Sequence, residues 1–500
     1  MSTVDQDRES VLRTRRGFLR QAGCAALGSI AISSVIRDFR LINSAVAQGT
    51  GTDALPGYKA LICIHLSGGN DCNNFIVPRG SAYPNYAATR QNLAIPESLL
   101  QPIYPNNGDG NDYGFHPNCP ELASMFNNGK LAALFNVGPL LFPTDRNQYK
   151  NKLVALPPQL FSHSDQVTHW QTSLPDQPPR SGWGGRIADL LHPYQNELIS
   201  DPVNRAKISL CTSIAGANTF EVGSTVQQYH VSTSGAVTLS GVTSGSARET
   251  TIRNIAQLPQ QNLQADAFGD ILDNAVATGS VLNAAILPTA AANYFTTAFP
   301  NTTLGNQLKM VARLIAGRDS LKIKRQIFFV SVGGYDTHTS QLGNAANPGN
   351  ALFGSQADLL NELSESINSF QSAMEQLSAL PGNTGLPDSV VGFTASDFGR
   401  TLPTNGQGSD HGWGSHHIVF GGSGNPATGA VRGGHLYGTF PVLQVNGPDD
   451  TSTGRWIPRV SVDEYSATLA KWFGVNSTYM PVVFPNLTRF ALPDLGFMNA

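Results

Sequence analysis

Three uninterrupted apolar runs, Ala60–Leu66, Ile327–Val332 and Val390–Thr394, each close on a short polar turn that delivers an aspartate. The turns read Ser67-Gly68-Gly69-Asn70-Asp71, Gly333-Gly334-Tyr335-Asp336-Thr337-His338 and Ser396-Asp397-Phe398-Gly399-Arg400. A continuous apolar run bounded by glycine reads as a buried strand. Around these runs, Glu121–Asn128 and Gln307–Ile315 carry helical patterns, and Leu131–Val137 is a further apolar strand. Leu359, Leu363, Ile367, Phe370, Met374 and Leu377 recur at steps of three and four, which predicts an amphipathic helix whose stripe packs on the core. Strand, helix and strand in that order predict an α/β fold with a central, mostly parallel sheet flanked by helices. About 450 residues after the leader exceed what one simple core usually organises, which leaves one large α/β domain with insertions, 48–500, or two domains, and the first is expected. The Ser/Thr-rich stretch at about 204–301 is expected to be an insertion or cap on that domain.

In an open α/β sheet the carboxyl ends of the strands meet at one crevice, so Asp71, Asp336 and Asp397 are expected to converge. His338, His411, His416 and His417 fall on neighbouring glycine-rich segments, the last three in a loop reading Asp410-His411-Gly412-Trp413-Gly414-Ser415-His416-His417. Carboxylates gathered with imidazoles suit a divalent metal, Zn, Mn, Mg or Ca, and a cation relieves their mutual repulsion. The expected ligands are Asp71, Asp336, His338, Asp397, His411 and His416. Arg400 is the cation beside them. Ser162, His163 and Ser164 precede a possible helix, where a serine near a metal could act as nucleophile, and these three with Arg400 are the expected catalytic residues. For any one of these residues a helix cap or a loop hydrogen bond is an equally ordinary role. His116 and His435 are read as such loop hydrogen-bonders.

At the N-terminus, Thr14-Arg15-Arg16-Gly17-Phe18-Leu19-Arg20 precedes a mostly apolar stretch from Ala22 to Ile36, and Ala45-Val46-Ala47 offers a small-x-small cleavage pattern. That order predicts a twin-arginine export signal over 1–47, recognised by the twin-arginine translocase and removed after Ala47, and a mature protein in the periplasm or secreted. The apolar stretch is too short for a bilayer crossing, so no stable membrane span is expected in the mature form. The chain holds 32 Lys/Arg and 35 Asp/Glu; without the seven basic and four acidic residues of 1–47, 25 and 31 remain, a net charge of about −6. No basic patch points to nucleic acid. Four cysteines remain, Cys63, Cys72, Cys119 and Cys211, which an oxidising compartment would allow to form up to two disulfides.

Taken together, Leu66-Ser67-Gly68-Gly69-Asn70-Asp71 through Asn74, Phe115-His116-Pro117, Ser162-His163, Gly333 through His338, Ser396 through Thr401, Asp410-His411-Gly412 and Gly433-Gly434 resemble the family catalogued as domain of unknown function 1501. The resemblance spans nearly the whole mature chain. That family looks related to the alkaline phosphatase and sulfatase superfamily, which implies a metal site for hydrolysing phosphate or sulfate esters, small or polymeric. By that resemblance, Asp71, Ser162 or Ser164, Asp336 with His338, and Asp397 occupy the order of acid, nucleophile and later ligands, while His411, His416 or His417 would complete a metal shell or protonate a leaving group. The chain departs where the superfamily usually has a histidine after the late aspartate and Phe398 stands instead. A one-metal hydrolase therefore stands beside a second reading, a non-catalytic secreted metal-binding, envelope or surface protein. The same resemblance allows an exported protein partner.

Overall fold

A computed structural model describes residues 55–499 apart from 197–198, 200, 237–240, 243–244, 260–262, 287–294 and 344–348. The export signal expected over 1–47 lies outside these residues.

Thirteen strands are described: β1 (Lys59–Leu66), β2 (Ile76–Arg79), β3 (Gln101–Ile103), β4 (Asp112–Phe115), β5 (Leu131–Gly138), β6 (Cys211–Ser213), β7 (Tyr229–Ser232), β8 (Gly235–Ala236), β9 (Arg325–Val332), β10 (Val390–Ser396), β11 (Ser415–Gly421), β12 (Leu436–Gly438) and β13 (Val460–Ser461). Ten of them form one sheet in the order β12-β5-β11-β10-β1-β9-β6-β7-β8, with β13 also paired to β5; β2, β4 and β3 form a small antiparallel sheet. The centre is parallel: β1 pairs β10 on one side, Leu66 opposite Ser396, and β9 on the other, Leu66 opposite Val332. Only β11 and the edge strand β8 run against their neighbours in this sheet. The fold is thus a mostly parallel sheet flanked by helices, as the apolar runs predict.

The three acid-bearing turns sit side by side because β10, β1 and β9 are adjacent and end in register. Their central residues are buried and, Thr394 apart, apolar, which a strand covered on both faces requires. One cover is the amphipathic helix Ser355–Ser378, which buries Leu360, Leu363, Ile367, Phe370, Met374 and Leu377 against the helices Pro120–Asn127 and Thr303–Ala316. On the opposite side Val462–Phe473 starts with a reciprocal cap between Ser461 and Glu464, satisfying two backbone amides at its N-terminus.

One expectation changed on folding. The segment holding His416 and His417 is not loop but the start of β11, a buried strand between β10 and β5. Two adjacent histidines masked the strand pattern; burial of both rings is what the sequence does not show. The segment at about 204–301 supplies β6, β7 and β8 to the edge of the central sheet as well as the helices Ala247–Ala256 and Leu263–Ala285. Among the described residues no helix is long and apolar enough to cross a membrane, and Gly57–Ala500 forms one compact unit.

All four of Cys63, Cys72, Cys119 and Cys211 are free and buried, so no disulfide joins the described residues. Burial pushes their thiols upward, Cys72 to about 12, which keeps them protonated and unreactive. A thiol reagent applied to the native mature protein is expected to modify none of the four within minutes and all of them in denaturant; rapid native labelling would contradict the sealed interior.

Glu221 is also wholly buried. Burial pushes its pKa up to about 8, against hydrogen bonds from Asn218 and the Thr212 amide that pull it down. Above about pH 4.5 the unfolded chain releases this proton while the folded one keeps it, so stability falls as pH rises towards 8 and levels off beyond it. Glu221→Gln removes that contribution. The drop in melting temperature between pH 5 and pH 9 is therefore expected to shrink in the variant, and an unchanged drop would reject the assignment.

Candidate metal centre

The site begins with glycine. Gly68 and Gly69 follow β1 with φ of 116° and 89°, a region open to glycine, and both face immovable neighbours. A Cβ at Gly68 would lie 2.4 Å from the Asp336 backbone nitrogen, and one at Gly69 would lie 2.5 Å from the Phe398 ring. The turn is glycine because the turns after β9 and β10 press against it.

Asp336 projects from the turn after β9 with its side chain 47% exposed. The buried Arg400 Nη1 donates to its Oδ1 at 2.8 Å. Partial burial works against ionisation, yet the Arg400 bond and charge, with His163 and His338 nearby, hold the carboxyl below its ordinary range. Three imidazoles face this carboxylate. His163 Nε2 lies 3.5 Å from Oδ2, while His411 Nε2 and His338 Nε2 each lie 3.3 Å from Oδ1.

Each ring is anchored through its other nitrogen. His163 Nδ1 donates to Asp397 Oδ2 at 2.7 Å, His411 Nδ1 donates to the Phe161 carbonyl at 2.8 Å, and His338 Nδ1 meets Asp410 Oδ1 at 3.0 Å. A carbonyl or carboxylate only accepts, so Nδ1 carries a proton in each ring and Nε2 is the nitrogen turned to Asp336. Burial lowers the His411 pKa, assisted by the charges of His163, Arg400 and His338 against the Phe161 bond, which favours the neutral form. For His163 the Asp397 hydrogen bond raises the pKa against partial burial. His338 Nε2 and His411 Nε2 stand 2.8 Å apart. Two lone pairs at that distance repel unless a proton or a cation lies between them.

His163, Asp336 and His411 each offer a ligand atom, all within 4.8 Å of one another. His163 Nε2 faces Asp336 Oδ2 at 3.5 Å and His411 Nε2 faces Oδ1 at 3.3 Å, so each carboxylate oxygen has an imidazole nitrogen beside it. These residues therefore could hold a divalent ion, with His338 beside them.

Phe161 owes its position to strain: it adopts φ 72° without being glycine, and Arg455 packs over its ring at 4.2 Å. Left-handed backbone at a non-glycine residue persists where surroundings enforce it, commonly at functional sites. The helix His163–Thr172 follows directly. Ser162 stands at its N-cap, but its hydroxyl donates to Asp165 Oδ2 at 2.6 Å instead of capping the helix, and Ser164 Oγ lies 3.3 Å away.

The other expected ligands lie elsewhere. Asp71 is completely buried, ion-paired with Arg90, bonded by Gln341 and capping the short helix Cys72–Phe75 through the Asn73 amide. Its carboxylate is taken up before any ion could use it. Asp397 is 2% exposed and contacts the group through His163. His416 points into the interior from β11, where its Nδ1 accepts from the Asn136 amide at 3.2 Å and its ring packs on Phe135 and Phe440. Burial takes the pKa of His416, and of its neighbour His417, down to about 3. Arg400, the cation expected beside the ligands, has its guanidinium bonded to Asp336, the Gly68 carbonyl and the Ser409 carbonyl. His116 and His435 bond within their own loops. The roles of Asp410 and of the Phe161 carbonyl were not anticipated. Asp410 stood in the motif beside His411, but nothing in a sequence shows a backbone carbonyl as a partner.

The sequence matches the family described as "Protein of unknown function (DUF1501)" over residues 58–480. The chain belongs to that family. No curated protein matches it. Among solved structures, this DUF1501 member is similar to the soluble domain of lipooligosaccharide phosphoethanolamine transferase A from Neisseria meningitidis, at 8% identity and a TM-score of 0.33, covering 90% of this chain and 96% of that one. The integral membrane form of that transferase matches at 9% identity and a TM-score of 0.31, covering 100% of this chain and 74% of that one. The parallel pairing of β10, β1 and β9 defines the fold independently of both matches.

Proposed function

We propose that this DUF1501 protein is an exported, metal-dependent hydrolase of phosphate or sulfate esters. The observation that supports it is the convergence of three Nδ1-anchored imidazoles on one carboxylate at the mouth of a parallel sheet, where their Nε2 atoms and Asp336 leave a place for a cation. A bound divalent ion would supply Lewis acidity to the ester's non-bridging oxygens and lower the pKa of a neighbouring hydroxyl. The chain's own groups are arranged for the rest. Ser162 opens the helix that carries His163, and Asp165 already accepts its hydroxyl proton in a hydrogen bond. Nitrogen-rich ligation favours zinc over manganese, calcium or magnesium.

A second reading, a secreted metal-binding protein without turnover, draws on Arg400. Its Nη1 and Nη2 are bonded to Asp336 and two carbonyls and its side chain has no exposed surface, so it offers little to an ester's charge. The test is metal content by mass spectrometry of mature protein purified from the periplasm, followed by assay on aryl phosphate and aryl sulfate with and without chelator. Stoichiometric metal with chelator-sensitive turnover is expected. Metal without turnover on either ester would move the assignment to the binding protein, and a metal-free, folded protein would reject both.

A further inference from the structure

We infer that Asp397 is a positioning residue of the metal centre and not one of its ligands: it holds the His163 ring so that Nε2 is delivered to the place shared with Asp336 and His411. This rests on the metal-centre reading above and specifies how its ligands are ordered. Asp336 and Asp397 leave adjacent parts of the sheet and look equivalent along the chain, yet their surroundings divide them. Asp336 is 47% exposed and faces the Nε2 atoms of three imidazoles; Asp397 is 2% exposed and faces none of them.

The Asp397 oxygens are already engaged. Oδ1 accepts from the Gly68 amide at 3.1 Å and has His65 Nε2 at 3.6 Å. Oδ2 accepts from His163 Nδ1 at 2.7 Å. An ion bound at Oδ2 would compete with that hydrogen bond and weaken the anchor that aims the His163 Nε2 at Asp336.

Phe398, the next residue, closes the alternative route. Its buried ring lies 4.8 Å from the His163 ring and 4.6 Å from the His411 ring, centroid to centroid, and presses on Gly69 from the other side. Where a histidine would add a ligand, this chain places an apolar wall against both imidazoles. The centre is thus built from one exposed carboxylate and imidazole nitrogens. The second carboxylate, Asp397, acts through the ring it orients, an arrangement that raises ligand basicity and fixes the tautomer.

Cobalt(II) separates a ligand from a positioning residue, because its visible bands report coordination directly. Mature wild-type protein, Asp397→Asn and Asp336→Ala are titrated with cobalt(II), with circular dichroism and thermal melts recorded on each. Asp397→Asn is expected to bind about 10–100-fold more weakly, while its saturated spectrum keeps the wild-type band positions and intensities. Nitrogen-15 chemical shifts of the metal-free protein should show His163 protonated at Nδ1 in the wild type and a mixture of tautomers in Asp397→Asn. A shifted or intensified spectrum at saturation in Asp397→Asn would make Asp397 a ligand and overturn the inference while leaving the metal centre standing. Wild-type affinity in a folded Asp397→Asn would overturn it as well. Absence of cobalt binding by the wild type would remove the centre itself, and this inference with it.

Discussion

Replacing Asp336 by alanine is expected to lower the affinity of the mature protein for zinc or cobalt(II) by more than about 100-fold, beyond the 10–100-fold typical of changes behind the ligands. Asp336 is the one carboxylate that meets His163, His338 and His411 directly, and it is held below the ordinary carboxyl range. Without it, the carboxylates that remain, Asp397 and Asp410, lie behind the rings at Nδ1 and not among the Nε2 atoms. The same substitution strips the buried Arg400 of its carboxylate partner, leaving the guanidinium with two carbonyls. Asp336→Asn separates the two effects, since its amide oxygen still accepts from Arg400 while the charge is gone. Metal content by mass spectrometry, read beside a melting curve, decides the matter: a folded Asp336→Asn with wild-type metal content would rule Asp336 out as a ligand.

The second large effect concerns stability. Arg90→Ala is expected to lower the unfolding free energy by roughly 3–5 kcal/mol, the range for breaking a buried ion pair from one side. Arg90 has no exposed surface. It pairs with Asp71, donates to Asn74 Oδ1 at 3.1 Å, and satisfies the Thr401 and Leu402 carbonyls at 3.1 and 3.0 Å. Truncation leaves the Asp71 carboxylate buried with only Gln341 and the Asn73 amide, and strands two carbonyls. The double variant Arg90→Met, Asp71→Asn should recover much of the loss, because replacing both partners removes the uncompensated charge. Denaturant unfolding of the three proteins measures this, and metal content of Asp71→Asn supplies a cross-check. If Asp71 serves the fold, that variant keeps its metal; loss of metal with the fold intact would return Asp71 to the ligand set.

Both predictions turn on one distinction that the chain's spelling conceals. Asp71, Asp336 and Asp397 each follow a buried strand, and the sequence treats them alike. Folding gives one to an arginine, one to the open mouth of the sheet and one to a histidine ring.

What the sequence by itself determined is the frame: apolar runs too continuous to face water on either side, glycine where a following acid must be brought close, and a helical stripe long enough to cover the sheet. Those features are local, because hydrophobic periodicity and backbone freedom are properties of neighbouring residues. Only the tertiary structure decided which acids and histidines share a site. His163 meets Asp397 across 234 positions and His411 meets Phe161 across 250. The choice of Nδ1 or Nε2 depends on that distant acceptor, and on whether it is a carboxylate or a carbonyl. His416 shows the same dependence from the other side. It is five positions from His411 in the chain, but strand pairing with β5 turns it into the interior, where burial keeps it neutral and out of reach of the site.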